Sequence, residues 1–403
     1  MPPQFLLARQ PIFNRNMDTV AYELLFRSAE GESFESFLDG DQATSKVIRH
    51  TFMDGTASRV VGPYPAHINV TAHLFRADIA RLLPREQVVL EFSEYANVDT
   101  ELFLTLQDLA QDGYRIALDH FEWRPEHNRL LDIASVVKLD VIDLSWEQVE
   151  RQLDVLSAFP VDVLAERVES HELFQKSVDA GFHLFQGYFL CRPAPIKGRS
   201  IATSRLTVMQ LLQKVYDPDV RIDTLEKIIR RDVGLSYRLL RIINSAYYAL
   251  PRKVESIHEA LVLLGLHFVR QWVSVLAMAG FEDKPNELFR LAMVRARMAE
   301  NLARAIRRKD TEPFFVVGLF SVLDAALDRP LPTILKDLPL SQDVMNALLH
   351  RTGVPGEALD CVIAHERGQW NRVKFQDIPE DVIQQAYLQA VEWSGTTQQL
   401  LAD

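Results

Sequence analysis

The stretch VVLEFSEYANVDTELFLTLQDLAQDGYRIALDHFEWRPEHNRLLDIASVVKLD, residues 88–140, decides the fold. Its near-continuous apolar runs at 88–93, 115–121 and from 136 onward are separated by segments of helical period at 100–111 and 127–133. Runs that are apolar on both faces and alternate with helices read as parallel strands covered on both sides. Outward from this stretch, further strand-like runs lie at 5–13, 19–26, 67–70, 161–168 and 184–190, and the central run extends to 144. Helix-like segments lie at 71–83, 146–159 and 171–180. Eight strands in under 200 residues predict a compact (β/α)8 barrel, not an open doubly wound sheet. Only residues 14–18 join the first two strands, too few for a parallel crossover, so the barrel is expected to be modified by an antiparallel strand.

Beyond CRPAPIKGRSIATS, residues 191–204, the strand signal ends. Two prolines, a glycine and small or basic residues mark this stretch as a linker between residues 1–198 and 199–403. Helical periodicity follows at 203–216, 224–233, 236–250, 256–280, 286–308, 313–327, 342–349, 357–367 and 380–401. The expected fold class is therefore α/β plus all-α: a modified barrel followed by an all-helical domain. Ser256 and Glu259 stand at capping-box spacing before one of these helices.

The 403 residues carry a net charge of -11. All of the excess lies in residues 1–200, with 30 acidic against 19 basic side chains; the remainder has 25 of each. This balance argues against a chain that coats nucleic acid. Two cysteines far apart, Cys191 and Cys361, give no disulfide framework and suit a reducing, cytoplasmic setting. The opening MPPQFLLARQPIF has no signal-peptide pattern. No stretch reads as about 18 uncharged apolar residues, so no membrane span is expected.

A barrel of this kind works at the C-terminal ends of its strands. Glu23 lies within its run, Asn69 ends the next, and Glu91 and Glu94 close LEFSE. Asp119 ends IALD, Lys138 and Asp140 lie in VVKLD, Glu166 and Glu169 in LAERVE, and Gln186 opens QGY. Any one of these reads equally well as a solvated or paired rim residue. Together they repel one another unless cations intervene, and carboxylates with an amide oxygen are hard ligands that favour Mg²⁺ or Mn²⁺.

Gln10-Pro11-Ile12, Glu23 with Leu25 and Arg27, Asn69-x-Thr71, Glu91 and Glu94, Asp119, Lys138-x-Asp140, Glu166 and Glu169, and Gln186-Gly187-Tyr188 occur in order. Together they resemble an EAL domain, the barrel of cyclic di-GMP phosphodiesterases. The resemblance implies hydrolysis of one phosphodiester bond of cyclic di-GMP with two Mg²⁺ or Mn²⁺ ions. It implies Glu23, Asn69, Glu91 and Asp119 as metal ligands, and Lys138 and Glu166 as catalytic residues. Gln10, Arg27 and Gln186 would lie at the substrate, and Glu94 would anchor a loop. The family's Asp-Asp-Phe-Gly-Thr-Gly segment is here Asp119-His120-Phe121-Glu122-Trp123-Arg124, and Glu-Ala-Leu is Glu23-Leu24-Leu25. His120 removes a charge and is expected to weaken the second metal site. Family barrels pair through the rewritten loop, which bears on a homodimer.

In the second half, Arg241-Ile-Ile-Asn244-Ser245-Ala246-Tyr247-Tyr248 and the segment from Ser256 to Gly265 resemble an HDOD domain, a helical signalling module related to HD phosphohydrolases. Where those enzymes carry the metal-binding His-Asp pair, this chain has Ser321-Val322. His258, His267, His350 and His365 lack metal-site spacing, Tyr247-Tyr248 reads as core, and the basic residues 304–309 read as a solvated helix end. The expectation is a cyclic di-GMP signalling protein whose degenerate barrel binds the nucleotide or a protein partner, with an HDOD output domain and little or no catalysis. The alternative is an active phosphodiesterase.

Overall fold

The computed structural model describes residues 5–28, 60–93, 98–192, 203–230, 233–245, 254, 256–279 and 284–402. The chain forms two compact units, Met1–Leu190 with His365–Trp370, and Cys191–Ala364 with Asn371–Asp403. The expected boundary at 198/199 falls outside the described residues.

In the first unit, β1 (Phe5–Asn14), β2 (Thr19–Ser28) and β3 (Ala66–Asn69) precede α1 (Ala72–Arg76). Then β4 (Val88–Phe92), α2 (Thr100–Gln111), β5 (Arg115–Leu118), α3 (Asn128–Leu131) and β6 (Val136–Asp140) follow. The unit ends with α4 (Trp146–Leu156), β7 (Asp162–Glu166), α5 (His171–Ala180) and β8 (Leu184–Gln186). The eight strands close into a barrel in chain order. β1 is antiparallel to β2 and β8, and every other neighbouring pair is parallel. The tight β1–β2 turn is built on Asn14, whose Oδ1 accepts from the backbone N–H of Asn16 and Asp18, with Met17 at φ 64°. Polar caps start the outer helices: Asp99 for α2, a Ser145–Gln148 capping box for α4 and Ser170 for α5.

Strand alternation positions the site. Ile12, Ala21, Val89, Ala117, Val136 and Leu164 form one buried apolar cluster. On five strands the site candidate stands two residues further along: Glu23, Glu91, Asp119, Lys138 and Glu166. Residues i and i+2 of a strand share a face, so the polar set forms the next layer above an apolar floor.

Several strands stop earlier than the apolar runs suggest. The runs continue into loops whose apolar residues are buried without joining a ladder, namely Phe121, Val168 and Leu190. The helix expected at 71–83 is broken after Arg76, where Asp78 adopts φ 58° and a 3-10 turn, Ile79–Leu82, follows. Gly187 follows β8 where a Cβ would lie 2.0 Å from the Val168 carbonyl oxygen. Gly187→Ala is expected to destabilise the barrel by about 1–3 kcal/mol and to displace Gln186; urea unfolding checks the first effect.

The second unit contains α6 (Thr203–Val215), α7 (Ile222–Arg230), α8 (Val233–Ile243), α9 (Ile257–Ala279) and α10 (Asn286–Ala305). It continues with α11 (Glu312–Phe320), α12 (Leu323–Leu327), α13 (Leu331–Lys336), α14 (Gln342–His350), α15 (Gly353–Glu366) and α16 (Glu380–Ala402). Ser256 caps α9 by accepting from Glu259 N–H. α9 kinks at Gly265, whose φ of 84° and ψ of 163° lie in a region open to glycine. The helix expected at 313–327 is two, parted at Ser321 and Val322. α13, a short helix that starts after Pro330, has no counterpart in the sequence reading.

α9 is long and apolar enough to cross a membrane by length and composition. Its apolar window is 56% buried within the protein, as in a core helix, and Leu261, Val269, Val273 and Leu276 belong to the main core of this unit.

Candidate active site

Lys138 lies at the centre of the polar layer and is fully buried. Its Nζ is 3.1 Å from Glu23 Oε2, 3.0 Å from Glu91 Oε1, 3.2 Å from Asp119 Oδ1 and 3.0 Å from Glu166 Oε1. Four carboxylates thus meet one ammonium. Gln186 Nε2 donates to Glu23 Oε2 (2.6 Å) and Gln10 Oε1 (3.0 Å), and Asn69 Nδ2 donates to Glu23 Oε1 (3.2 Å). Gln10, Glu23, Asn69, Glu91, Asp119, Lys138, Glu166 and Gln186 are therefore assembled in one place. The side chain of Arg27, which pairs in register with Leu6, lies outside the described residues, as does Glu94. Glu169 is exposed in the loop after β7.

The cluster is electrostatically frustrated. Burial raises Glu91 well above the usual carboxylate range, and neighbouring Glu23 adds to this against the pull of Lys138. Burial likewise raises Glu166 to about 8 despite Lys138. For Lys138 burial acts downward, but Glu166, Glu23, Glu91 and Asp119 outweigh it and hold the ammonium charged. Burial acts upward on Asp119, yet Lys138 and His120 bring it below its ordinary value. Glu91 Oε2, Glu166 Oε2 and Gln186 Oε1 are buried without a hydrogen-bond partner among the described residues. Orphaned buried acceptors of this kind fit hard divalent cations.

His120, at φ 49°, stands over this rim with its side chain 62% exposed. Its Nε2 is 3.9 Å from Asp119 Oδ2 and its Nδ1 3.7 Å from Glu166 Oε2. One ligand atom from each of Asp119, His120 and Glu166 fits within 4.8 Å, the one such group of three among the described residues. Burial opposes its protonation, but Asp119 and Glu166 prevail and raise its pKa. The segment after it is ordered by Trp123, whose backbone N–H donates to Gln152 Oε1 and whose Nε1 donates to Asn128 Oδ1.

Two supporting residues escaped the sequence reading. His67 lies two residues before Asn69, in the floor layer, and its Nδ1 is 2.8 Å from Glu91 Oε1. Burial and then Lys138 lower its pKa to about 3, so it is neutral and donates from Nδ1. Strand alternation places it on Asn69's face, and that was its available signal. Arg167, at φ 58°, reaches Asp140 Oδ2 at 2.7 Å and Asp143 Oδ2 at 2.6 Å. Asp140 also accepts from the backbone N–H of Ile142 and Asp143, so it braces the loop after β6 outside the Lys138 cluster.

These shifts set a pH dependence for metal-free protein. His67, lowered to about 3, adds stability as pH rises to 6.5, and above that its contribution is constant. Glu166, raised to about 8, costs stability as pH rises from 4.5 to 8 because the folded state holds the proton longer. Denaturant unfolding in chelator is thus expected to show stability falling between pH 6.5 and 8, and Mn²⁺ is expected to flatten the slope. A rising profile in chelator would contradict these assignments.

In the helical unit the position of the HD pair belongs to no group of metal-ligating side chains among the described residues. Ser321 Oγ donates to Gly318 O and accepts from Arg295 Nη1. His258 pairs with Glu226, His267 pairs with Glu312, and His365 is buried against Trp370. Tyr247-Tyr248 lies outside the described residues.

A model of the HDOD domain matches residues 201–325. The cyclic di-GMP phosphodiesterase CdgJ of Vibrio cholerae serotype O1 is 36% identical over 98% of this chain and 93% of its own length. YuxH of Bacillus subtilis strain 168 is 30% identical over 96% of this chain and 97% of its own. Among solved structures, the PaMucR phosphodiesterase in complex with c-di-GMP is 20% identical, covering 48% of this chain and 92% of that one, with a TM-score of 0.38. With a full-length relationship to CdgJ, a closed eight-stranded barrel and a matched HDOD segment, the chain belongs to the EAL–HDOD family of bacterial cyclic di-GMP phosphodiesterase-like signalling proteins.

Proposed function

We propose that the barrel is a divalent-metal-dependent phosphodiesterase that adds one water to cyclic di-GMP and releases the linear dinucleotide. The helical unit is its signalling output, recognising a protein partner. The observation that carries this reading is the gathering of Glu23, Glu91, Asp119 and Glu166 within 3.2 Å of Lys138. Sequence alone leaned towards a regulator with little or no turnover, because the segment 119–125 is rewritten and His120 replaces an aspartate. The imidazole nonetheless stands between Asp119 and Glu166, so the position keeps a ligand atom.

Glu23, Asn69, Glu91 and Asp119 would hold one cation; Asp119, His120 and Glu166 would hold a second. A ring nitrogen favours Mn²⁺ over Mg²⁺ there. When bound, such ions neutralise phosphate charge and raise the acidity of an attacking water. Lys138 fixes the carboxylates in one geometry before substrate arrives, and its ammonium lies where a water can be oriented. Gln186, bonded to both Gln10 and Glu23, holds the wall against which the nucleotide rests.

The rewritten segment 120–125 supports a second reading, nucleotide binding without hydrolysis. His120 substitution separates the two. Under the catalytic reading, His120→Asp should tighten Mn²⁺ binding about tenfold or more by restoring a charged ligand and raise turnover, while His120→Ala should lower both. Calorimetry and product analysis on the same samples check this. Unchanged metal stoichiometry and unchanged product across the series would remove His120 from the site.

A further inference from the structure

A further carboxylate stands at the barrel mouth, outside the group that Lys138 holds. Asp140 ends β6 two residues beyond Lys138, on the same strand face and one layer nearer the loops, and it pairs in register with Glu166. It is 7% exposed. Its negative field reaches His120, whose Nδ1 is 3.7 Å from Glu166 Oε2. A free carboxylate in this place would compete for a cation held by Asp119, His120 and Glu166, and would repel an incoming phosphate.

Arg167 takes up that charge. Its Nη1 is 2.7 Å from Asp140 Oδ2 and 2.6 Å from Asp143 Oδ2. Asp140 Oδ1 accepts from the backbone N–H of Ile142 at 2.8 Å and of Asp143 at 3.0 Å. Both oxygens of Asp140 are thereby committed to its own loop and to one guanidinium. Among the described residues, the ion pairs of Asp140 and of Asp143 are both with Arg167. Arg167 directly follows Glu166, so a regular strand would turn it to the opposite face. Its φ of 58° breaks that alternation and brings the side chain to the loop after β6. A left-handed backbone is unfavourable for a long side chain and is retained where surrounding contacts over-determine it.

We propose that Arg167 is a positioning residue of the barrel mouth: by holding Asp140 and Asp143 it keeps their charge away from the cation site at Asp119, His120 and Glu166 and from the phosphates of the nucleotide. Resting on the metal-dependent cyclic di-GMP reading above, this role gives opposite effects on two ligands. Without Arg167 the mouth is one unit more negative, which attracts a divalent cation and repels a dianionic nucleotide. A merely structural strut would act differently: its loss would disturb Glu166, one residue away, and weaken both ligands.

The test uses the full chain with Arg167→Gln and Arg167→Gly, the latter suited to the left-handed backbone. Mn²⁺ alone is titrated by calorimetry. Cyclic di-GMP is then added to Mn²⁺-loaded protein and read as Kd where no product forms and as KM where it does. At low ionic strength both variants should bind Mn²⁺ about two- to fivefold more tightly than the parent and cyclic di-GMP about fivefold more weakly, the scale of one charge at a solvated mouth. Both differences should shrink at about 0.5 M salt. Arg167→Lys keeps the charge, and Asp140→Asn in the Arg167→Gln background removes the opposing one; each should recover most of the nucleotide affinity. Weakening of both ligands, unchanged nucleotide affinity, or no recovery with Asp140→Asn would overturn the role of Arg167. Nucleotide binding without product in the parent would overturn hydrolysis and leave the Arg167 comparison intact, whereas a parent that binds neither Mn²⁺ nor cyclic di-GMP would overturn both.

Discussion

Lys138→Met is expected to lower the stability of metal-free barrel by about 3–5 kcal/mol, the cost of leaving buried charge uncompensated. Lys138 is fully buried and contacts Glu23, Glu91, Asp119 and Glu166. Methionine fills much of the volume without the charge, so packing loss is minor and the effect is electrostatic. The four carboxylates would then face one another with no internal cation. Some of the loss is relieved by proton uptake, which makes the destabilisation smaller at pH 5 than at pH 8. Mn²⁺ should raise the thermal midpoint of the variant more than that of the parent, because the ion replaces a missing counter-charge. Equal midpoints in chelator would mean that Lys138 does not balance the cluster.

Glu23→Ala is expected to act in the opposite sense on stability and more severely on turnover. Glu23 accepts from Lys138, Gln186 and Asn69, so it is the acceptor that links three strands' side chains. Its removal lowers the negative excess and leaves Lys138 with three partners, so the fold should stand. Cyclic di-GMP turnover should nevertheless fall by about 10²–10³ or more, the scale seen when a preorganised electrostatic group is removed. Substrate-saturated rates with Mn²⁺, alongside circular dichroism, test both halves. A folded Glu23→Ala protein with parental kcat would place the chemistry elsewhere.

Much of this was legible in the chain because the barrel's strands are short, apolar and separated by capped helices. The turn on Asn14 announced the antiparallel β1, since four intervening residues admit no crossover. Strand ends were harder: Phe121, Val168 and Leu190 are as buried as ladder residues, and composition does not distinguish burial in a loop from burial in a sheet. The carboxylates were read from their places near strand ends, whereas His67 and Arg167 were not. His67 belongs to the layer below, and Arg167 acts from a loop through its left-handed backbone.

The central claim is that the Lys138-centred carboxylates, with His120, make a working metal-dependent hydrolase. It is tested most directly by incubating the purified full-length chain with a large excess of cyclic di-GMP and Mn²⁺ and counting linear dinucleotide formed per chain. The account predicts many product molecules per chain, none in chelator, and at least about a hundredfold fewer with Glu23→Ala in the same time. Tight nucleotide binding by the metal-loaded protein with less than one product molecule per chain would contradict it, and would leave the barrel as a receptor.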